Sequence, residues 1–370
     1  MPIKFSPVYA LTPKTVQCLM RIQAACTKIA GLPLTPKVLA SLRETARLYS
    51  THYSTMIEGN RLSSQQVEHV VKHEGHFPGR ERDEKEVLGY YAALKQLEQW
   101  VAKGAKINEK IIQTMHAIVM AHGIATPKPT SYRDGQNVIR DGRTNRIVYM
   151  PPEAKDVVGL MDGLIDWINA SKELPCPIVA AIAHYQFATI HPYFDGSGRT
   201  ARLLTTMILH LGGYDLKGLY SLEEYYARNL DGYYTAISIG ESHNYYLGRA
   251  EADITQWITY FVEGMAIACE RVLEQMDAEG QKGFADQSDM LRTLDPRQRK
   301  ALELLQAYAV VTAKQIGELF GLQPRTCAKL CKYWVDSGFL VVVNPSNKAR
   351  SYAIAPTYDD LLTIAAMRKS

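Results

Sequence analysis

Three features of the chain predict a mainly α fold: apolar residues recur at three and four through roughly the first 290 positions, one alternating stretch interrupts them, and a basic tail resumes the helical period. The first helices are expected from Pro13 to Ala30 and from Pro36 to Ile57, the second stopped by Glu58-Gly59-Asn60. Three more follow, from Ser64 to His73, from Glu84 to Lys103 with Asp83 as N-cap, and from Glu109 to Ala121 with Asn108 as N-cap. Asp and Asn suit those caps because their side chains accept hydrogen bonds from first-turn N–H groups. Between Thr126 and Pro152 the period breaks. Pro127 and Pro129 precede an alternating stretch from Asn137 to Arg140, a polar DGRTN turn, and Arg146 to Met150, which is a hairpin signal. Helices resume at Ala154 to Asn169, Pro177 to Ile190 and Arg199 to Leu211, and Ser221 to Met276 carries more, including a long one from Ile254. The polar stretch from Ala278 to Asp289 loses the period and marks a domain boundary.

The 370 residues carry 42 Lys or Arg against 38 Asp or Glu, an ordinary globular balance. From Asp295 onward there are eleven basic and six acidic residues, so the positive charge belongs to the tail. The N-terminus lacks the pattern of a signal peptide and no apolar run is long enough to span a bilayer, so a cytoplasmic protein without membrane contact is expected. Cys18, Cys26, Cys176, Cys269, Cys327 and Cys331 fit neither a disulfide framework nor a zinc site and read as small apolar residues. His73 and His76 resemble a metal pair only superficially, since no third ligand lies near.

The most informative stretch is HPYFDGSGRTAR, from His191 to Arg202. The ordinary pKa of a histidine, about 6.5, lets His191 take a proton near neutrality. Asp195 offers a hard oxygen that suits Mg2+. Gly196, Ser197 and Gly198 lack bulk, so their N–H groups can close around phosphate oxygens where a helix begins. Arg199 and Arg202 can clamp the remaining negative charge with planar forks. Helices on both sides hold the loop rigid, as phosphate positioning requires. Together these residues describe a nucleotide site with a base beside it.

The stretch resembles the signature of Fic-domain proteins, His-Pro-Phe-x-Asp/Glu-Gly-Asn-Gly-Arg-x-x-Arg, and differs at two positions. Tyr193 replaces Phe, which keeps an aromatic anchor. Ser197 replaces Asn, and a single hydroxyl in place of an amide is expected to alter the phosphate contacts. The resemblance implies a Fic-type helical bundle in which AMP moves from ATP to a Ser, Thr or Tyr hydroxyl of a target protein. His191 would be the base, Asp195 the Mg2+ ligand, and Gly196 through Arg202, including Thr200 and Ala201, the nucleotide-binding run. Ser54-Thr-Met-Ile-Glu58-Gly59-Asn60 is similar to the inhibitory helix of such proteins, which implies that Glu58 pairs with Arg202 and competes with the γ-phosphate. Ser54 and Glu58, four apart, share one helix face.

By the same resemblance the hairpin is a flap, with Val138, Ile139 and Val148 docking a target segment by strand addition. Asn229, Tyr233 and Tyr234 fall where such proteins place the adenine pocket; the residues alone leave core packing equally open. His184 is expected to pack behind the loop. The resemblance also admits an enzyme that removes AMP, and it implies a homodimer and self-modification.

The tail reads as a helix from Pro296 to Ala307, a helix from Ala313 to Phe320 capped by Thr312, a turn at Gly321-Leu322-Gln323, and a helix from Pro324 to Ser337. Cys327, Leu330, Trp334 and Val335 form its core stripe, while Arg325, Lys329 and Lys332 face outward. Phe339 to Val343, an NPSNKAR tip, and Ser351 to Ile354 make a wing, and the whole resembles a winged helix-turn-helix domain. Three regions are therefore expected: residues 1–100 with the inhibitory helix, 101–277 with the catalytic bundle, and 290–370 with the winged domain. A DNA-binding regulator with a nucleotide-sensing Fic portion is the alternative.

Overall fold

The computed structural model describes residues 3–31, 36–121, 127–140, 145–239, 243–281, 293–346 and 350–358. One unit joins Met1–Ala30 with Glu44–Leu273, and a second joins Gly31–Arg43 with Glu274–Ser370. Among the described residues no helix is long and apolar enough to cross a membrane.

The first five helices are α1 (Pro13–Gly31), α2 (Pro36–Ile57), α3 (Ser64–Val71), α4 (Glu81–Ala102) and α5 (Glu109–Met120). Local chemistry sets several of their ends. Asn108 caps α5 by accepting from the Ile111 N–H, and Ser63 caps α3 in a reciprocal pair with Gln66. Two boundaries differ from expectation. Helix α4 begins a turn earlier than Glu84, so Asp83 is not its cap but one of three first-turn acids, with Glu81 and Glu84, that favour the positive helix end. Helix α3 stops before His73, which takes a left-handed backbone at φ 57°.

A short hairpin follows, β1 (Ile139–Arg140) antiparallel to β2 (Ile147–Tyr149). Its expected turn lies largely outside the described residues. Then come α6 (Ala154–Ala170), α7 (Cys176–Ile190), α8 (Ser197–Leu211), α9 (Leu222–Arg228), α10 (Leu230–Ile237) and α11 (Thr255–Gln281). The last continues into the expected boundary stretch, whose remainder from residue 282 is outside the described residues.

Helix α7 is the centre of the unit. All of its residues except Cys176 and Ala188 are buried, and a helix apolar on every side has to be wrapped by neighbours. Its polar groups are accordingly matched. His184 contacts the Thr205 hydroxyl through Nδ1 and the Tyr233 hydroxyl through Nε2, both at 3.0 Å, and Trp257 donates to the Ala181 carbonyl at 2.7 Å. Of the cysteines, Cys18, Cys269, Cys327 and Cys331 are buried and Cys26 and Cys176 half-buried, all as free thiols.

The second unit contains α12 (Pro296–Ala307), β3 (Val311–Thr312), α13 (Ala313–Phe320), α14 (Pro324–Asp336), β4 (Leu340–Asn344) and β5 (Ser351–Ile354). The strands form an antiparallel sheet in the order β3-β5-β4. Asp295 and Thr312 each make a reciprocal cap with the Gln three residues on. Cys327, Cys331 and Trp334 are buried with Phe339 and Tyr352; Leu330 and Val335 pack partly against them.

Close helix packing in the first unit depends on Gly89. A methyl group there would lie 2.2 Å from the Val119 carbonyl oxygen of α5, whereas one at Gly31 would meet nothing within 4 Å. Gly89→Ala is expected to destabilise the protein by about 1–3 kcal/mol, as overpacking does. Gly31→Ala should leave the melting temperature level or slightly raised, and thermal unfolding of the two variants measures the contrast.

Candidate active site

The segment from His191 to Arg202 crosses from the end of α7 to the first turns of α8. His191 caps α7 with φ 50° and ψ 63°, a left-handed conformation uncommon outside glycine. Arg133 holds it there. The Arg133 N–H donates to the Pro192 carbonyl at 2.9 Å, Nε donates to the His191 carbonyl at 2.9 Å, and Nη1 donates to Gly135 O at 2.9 Å. Nη2 reaches the carbonyls of Pro152 and Ile190. One buried guanidinium thus ties the His191 turn to the foot of the hairpin.

Burial pushes the His191 imidazole down to about 4; the negative charge of Glu58 and a hydrogen bond at the Ala188 backbone oppose the shift without cancelling it. At neutral pH the ring is therefore neutral and can accept a proton.

Tyr193 lies flat against His116, with ring centroids 3.6 Å apart and planes within 11°. His116 Nε2 contacts the Asp195 carbonyl at 2.9 Å, and burial lowers the pKa of its ring. The Ser197 hydroxyl donates to the Tyr193 carbonyl and accepts from the Tyr193 N–H, each at 3.1 Å. That hydroxyl is thus engaged within the loop, as both donor and acceptor. Thr200 likewise donates to the Gly196 carbonyl, and the Ala201 methyl is fully buried. These three residues face the loop's interior with their side chains; what remains for an anion at this helix start is backbone N–H.

No side chain caps α8, whose N-cap Gly196 sits at φ 76°. Asp195, more than half exposed, accepts from Arg199 Nη2 at 2.9 Å and from the Gly196 N–H at 2.6 Å through Oδ1. Arg199 is 2% exposed, and its Nε and Nη1 are buried without a hydrogen-bond partner. Unsatisfied buried guanidinium donors are costly, and an anion is the kind of group that can satisfy them.

Arg202 is better supplied. Its Nε donates to the Ser54 hydroxyl at 2.7 Å, and Nη2 donates to the Ser54 carbonyl at 2.9 Å and to Glu58 Oε1 at 2.8 Å. The guanidinium is buried while the Glu58 carboxylate is about one-third exposed, at 34%. That carboxylate also lies over the helix start: a methyl group on Gly198 would fall 2.5 Å from Glu58 Oε1 and 3.4 Å from Arg202 Nη1. Ser54 and Glu58, 148 and 144 residues before Arg202, converge on it because α2 ends at Ile57 beside α8.

The aromatic group divides. Tyr233 is buried and hydrogen-bonded to His184, so it is a core residue and not a base-stacking one. Asn229 caps α10 by accepting from the Gly232 N–H at 3.0 Å, and a methyl on Gly232 would clash with its amide, so the side chain is spent locally. Tyr234 is the exposed aromatic of the group, with its hydroxyl 3.5 Å from the Ile57 carbonyl at the end of α2.

In the hairpin, Val138 and Ile139 are half-buried and Val148 is exposed; Asn137 connects them to the loop by donating to the Tyr193 carbonyl at 3.3 Å. His76 pairs with Glu84 at 3.0 Å, and no group of three metal-type ligands occurs among the described residues. Arg133, His116 and the exposed Phe194 were not singled out from sequence, since single residues in SYRDG or TMHAI carry no periodic or motif signal.

Residues 106–209 match the Fic/DOC family. The chain is 30% identical over 200 residues to "Protein adenylyltransferase Fic" of Drosophila willistoni, covering 52% of this chain and 39% of that protein. It is 33% identical over 195 residues to "Protein adenylyltransferase fic-1" of Caenorhabditis elegans, covering 50% of this chain and 36% of that one. It thus spans well under half the length of these relatives. In fold it is similar to the crystal structure of a Fic family protein from Desulfovibrio desulfuricans G20, with a TM-score of 0.61, 22% identity, and 95% and 99% of the two chains covered.

Burial behind the site has a pH consequence. His184 is held down to about 3, chiefly by desolvation and further by the Arg202 charge, against an ordinary 6.5. Between those values the unfolded chain binds the extra proton and the folded one does not, so stability rises with pH across that window and is lost as pH falls. The melting temperature should therefore drop from pH 7 toward pH 4, and His184→Gln should make that slope shallower while lowering stability overall.

Proposed function

We propose that this chain transfers AMP from ATP to a hydroxyl side chain of a protein, and that Glu58 restrains it. The observation that carries the reading is the convergence of Glu58, Gly198 and Arg202 at the head of α8: a carboxylate rests where a helix start and a buried guanidinium make an anion site. The Fic domain and the names of the relatives support the same reaction class.

His191 would take the proton of the acceptor hydroxyl as its oxygen bonds to the α-phosphorus. The bond from that phosphorus to the bridging oxygen breaks, pyrophosphate leaves, and the imidazolium passes its proton to solvent. The charge of a bound triphosphate raises the proton affinity of the ring from its depressed value, which strengthens the base when substrate is present. Arg199, through its unsatisfied donors, and the first N–H groups of α8 would stabilise charge on the phosphates. Asp195 is suited to hold Mg2+, since it is exposed and a hard carboxylate with one oxygen outside its hydrogen bonds, and a bound Mg2+ would help neutralise phosphate charge.

Arg202 would grip the γ-phosphate and so aim the α-phosphorus at the acceptor. Glu58 occupies that grip in the structure's own ion pair, and one fork serves one anion. Tyr234 remains as the exposed aromatic for the base, and Val148 with the hairpin edge for the acceptor segment.

The tail is read as a winged helix-turn-helix, supported by its helix order and three-stranded sheet. Arg325, Lys329 and Lys332 are exposed along α14, which suits contact with nucleic-acid phosphates.

Three outcomes test these readings. With ATP labelled at the α-phosphate, Glu58→Gly should increase incorporation of label into protein. His191→Ala should reduce incorporation by about 10²- to 10⁴-fold with an unchanged circular-dichroism melt. A DNA mobility shift should appear at low salt and weaken steeply as salt rises; no shift at low salt would leave the tail a protein-docking module.

A further inference from the structure

We propose that the cavity beside the hairpin is a subsite for a lysine or arginine of the acceptor protein, flanking the modified hydroxyl; this rests on the transfer reading above. The cavity, of about 540 Å³, is bounded among others by Asp134, Gly135, Met150, Pro151, Glu153 and Tyr246.

Its position is tied to the chemistry by hydrogen bonds. Arg133 donates to the Gly135 carbonyl on the cavity wall and to the His191 carbonyl in the loop, so the two are fixed by one guanidinium. The Phe194 ring, 58% exposed, reaches within 3.4 Å of where a Gly135 side chain would start, which brings the catalytic loop up to the Gly135 wall of the cavity. Met150 directly follows β2, the strand against which an acceptor segment would lie, and its N–H and carbonyl are both bonded, to His243 O and the Tyr245 N–H. An extended segment sends alternate side chains to opposite sides. When one residue faces His191, a neighbour within a few positions reaches the cavity.

The lining selects the chemistry of that neighbour. Tyr246 spends its hydroxyl, accepting from the Glu153 N–H at 2.9 Å and donating to Asp156, which leaves its half-exposed ring as an apolar and weakly electronegative wall. Met150 and Pro151 add apolar surface. Glu153 is paired with Lys155 at 2.6 Å. Asp134 is exposed and, among the described residues, has no partner, so the cavity presents one uncompensated negative charge. Lys155 also lines the cavity, but Glu153 neutralises it, so an alkyl stem against Met150, Pro151 and Tyr246 with a cationic head at Asp134 suits the net negative lining, and a glutamate would meet a like charge at Asp134.

The test uses the full chain carrying Glu58→Gly, with and without Asp134→Lys, on a proteome-derived peptide library cut after methionine, which leaves Lys, Arg and Glu inside the peptides, with ATP and Mg2+. Modified sites are mapped by mass spectrometry. With Glu58→Gly alone, Lys and Arg should be enriched about tenfold over Glu at one flanking position, in keeping with a single exposed cation contact. Asp134→Lys should abolish or invert that enrichment while self-adenylylation and pyrophosphate release stay unchanged. Identical preferences for the two proteins overturn the subsite. So does a library left unlabelled by an enzyme that modifies itself. Absence of both self-labelling and pyrophosphate release condemns the transfer reading instead.

Discussion

Arg202 brings a positive charge into the interior at the start of α8, and its partners come from a segment more than 140 residues earlier. Stripping a buried ion of its partner costs on the order of 3–5 kcal/mol, and less where, as at Glu58, the partner is a third exposed. Two properties follow from that asymmetry. The guanidinium is permanently charged and must have an anion close by, while the carboxylate that supplies it sits near enough to solvent to be replaced. A nucleotide phosphate can offer a guanidinium fork a pair of oxygens as a carboxylate does, with greater charge, so on the proposed reading the contact that satisfies the resting protein is also the one a nucleotide would have to win.

The remainder of the site keeps this competition sharp by fixing everything around it. Helix α7 is buried on all sides and has no freedom to shift, so His191 emerges at a set point. Arg133 locks the left-handed turn, the stacked pair of His116 and Tyr193 supports the loop from below, and the Ser197 hydroxyl closes the loop upon itself. Arg199 stands apart, with buried donors that have no partner among the described residues. Unsatisfied guanidinium donors beside an uncapped helix start are consistent with a site for an incoming anion.

Much of this was legible because it is local. The His191 to Arg202 stretch compresses base, carboxylate, glycines and arginines into twelve consecutive residues, and reciprocal caps at Thr312 and Asp295 place helix starts to the residue. The parts that escaped are those set by packing. Tyr233 and Tyr234 are neighbours with equal propensity, yet α10 turns one into the core against His184 and leaves the other exposed beside Ile57. Arg133 acts 58 residues from His191, and His116 acts 79 residues from Asp195, with no spacing rule to connect them. Asp83 reads as a cap because acids crowd this turn, but the helix begins at Glu81, the first of the three.

The competition at Arg202 can be measured without any acceptor protein, by comparing the affinities of ATP and ADP by calorimetry. With Glu58 in place, the γ-phosphate has no guanidinium to bind, so the wild-type chain should hold the two nucleotides about equally. Glu58→Gly should prefer ATP, and adding Arg202→Ala should erase that preference. A wild-type protein that already favours ATP as strongly as Glu58→Gly would contradict the claim that one guanidinium is shared between the carboxylate and the nucleotide.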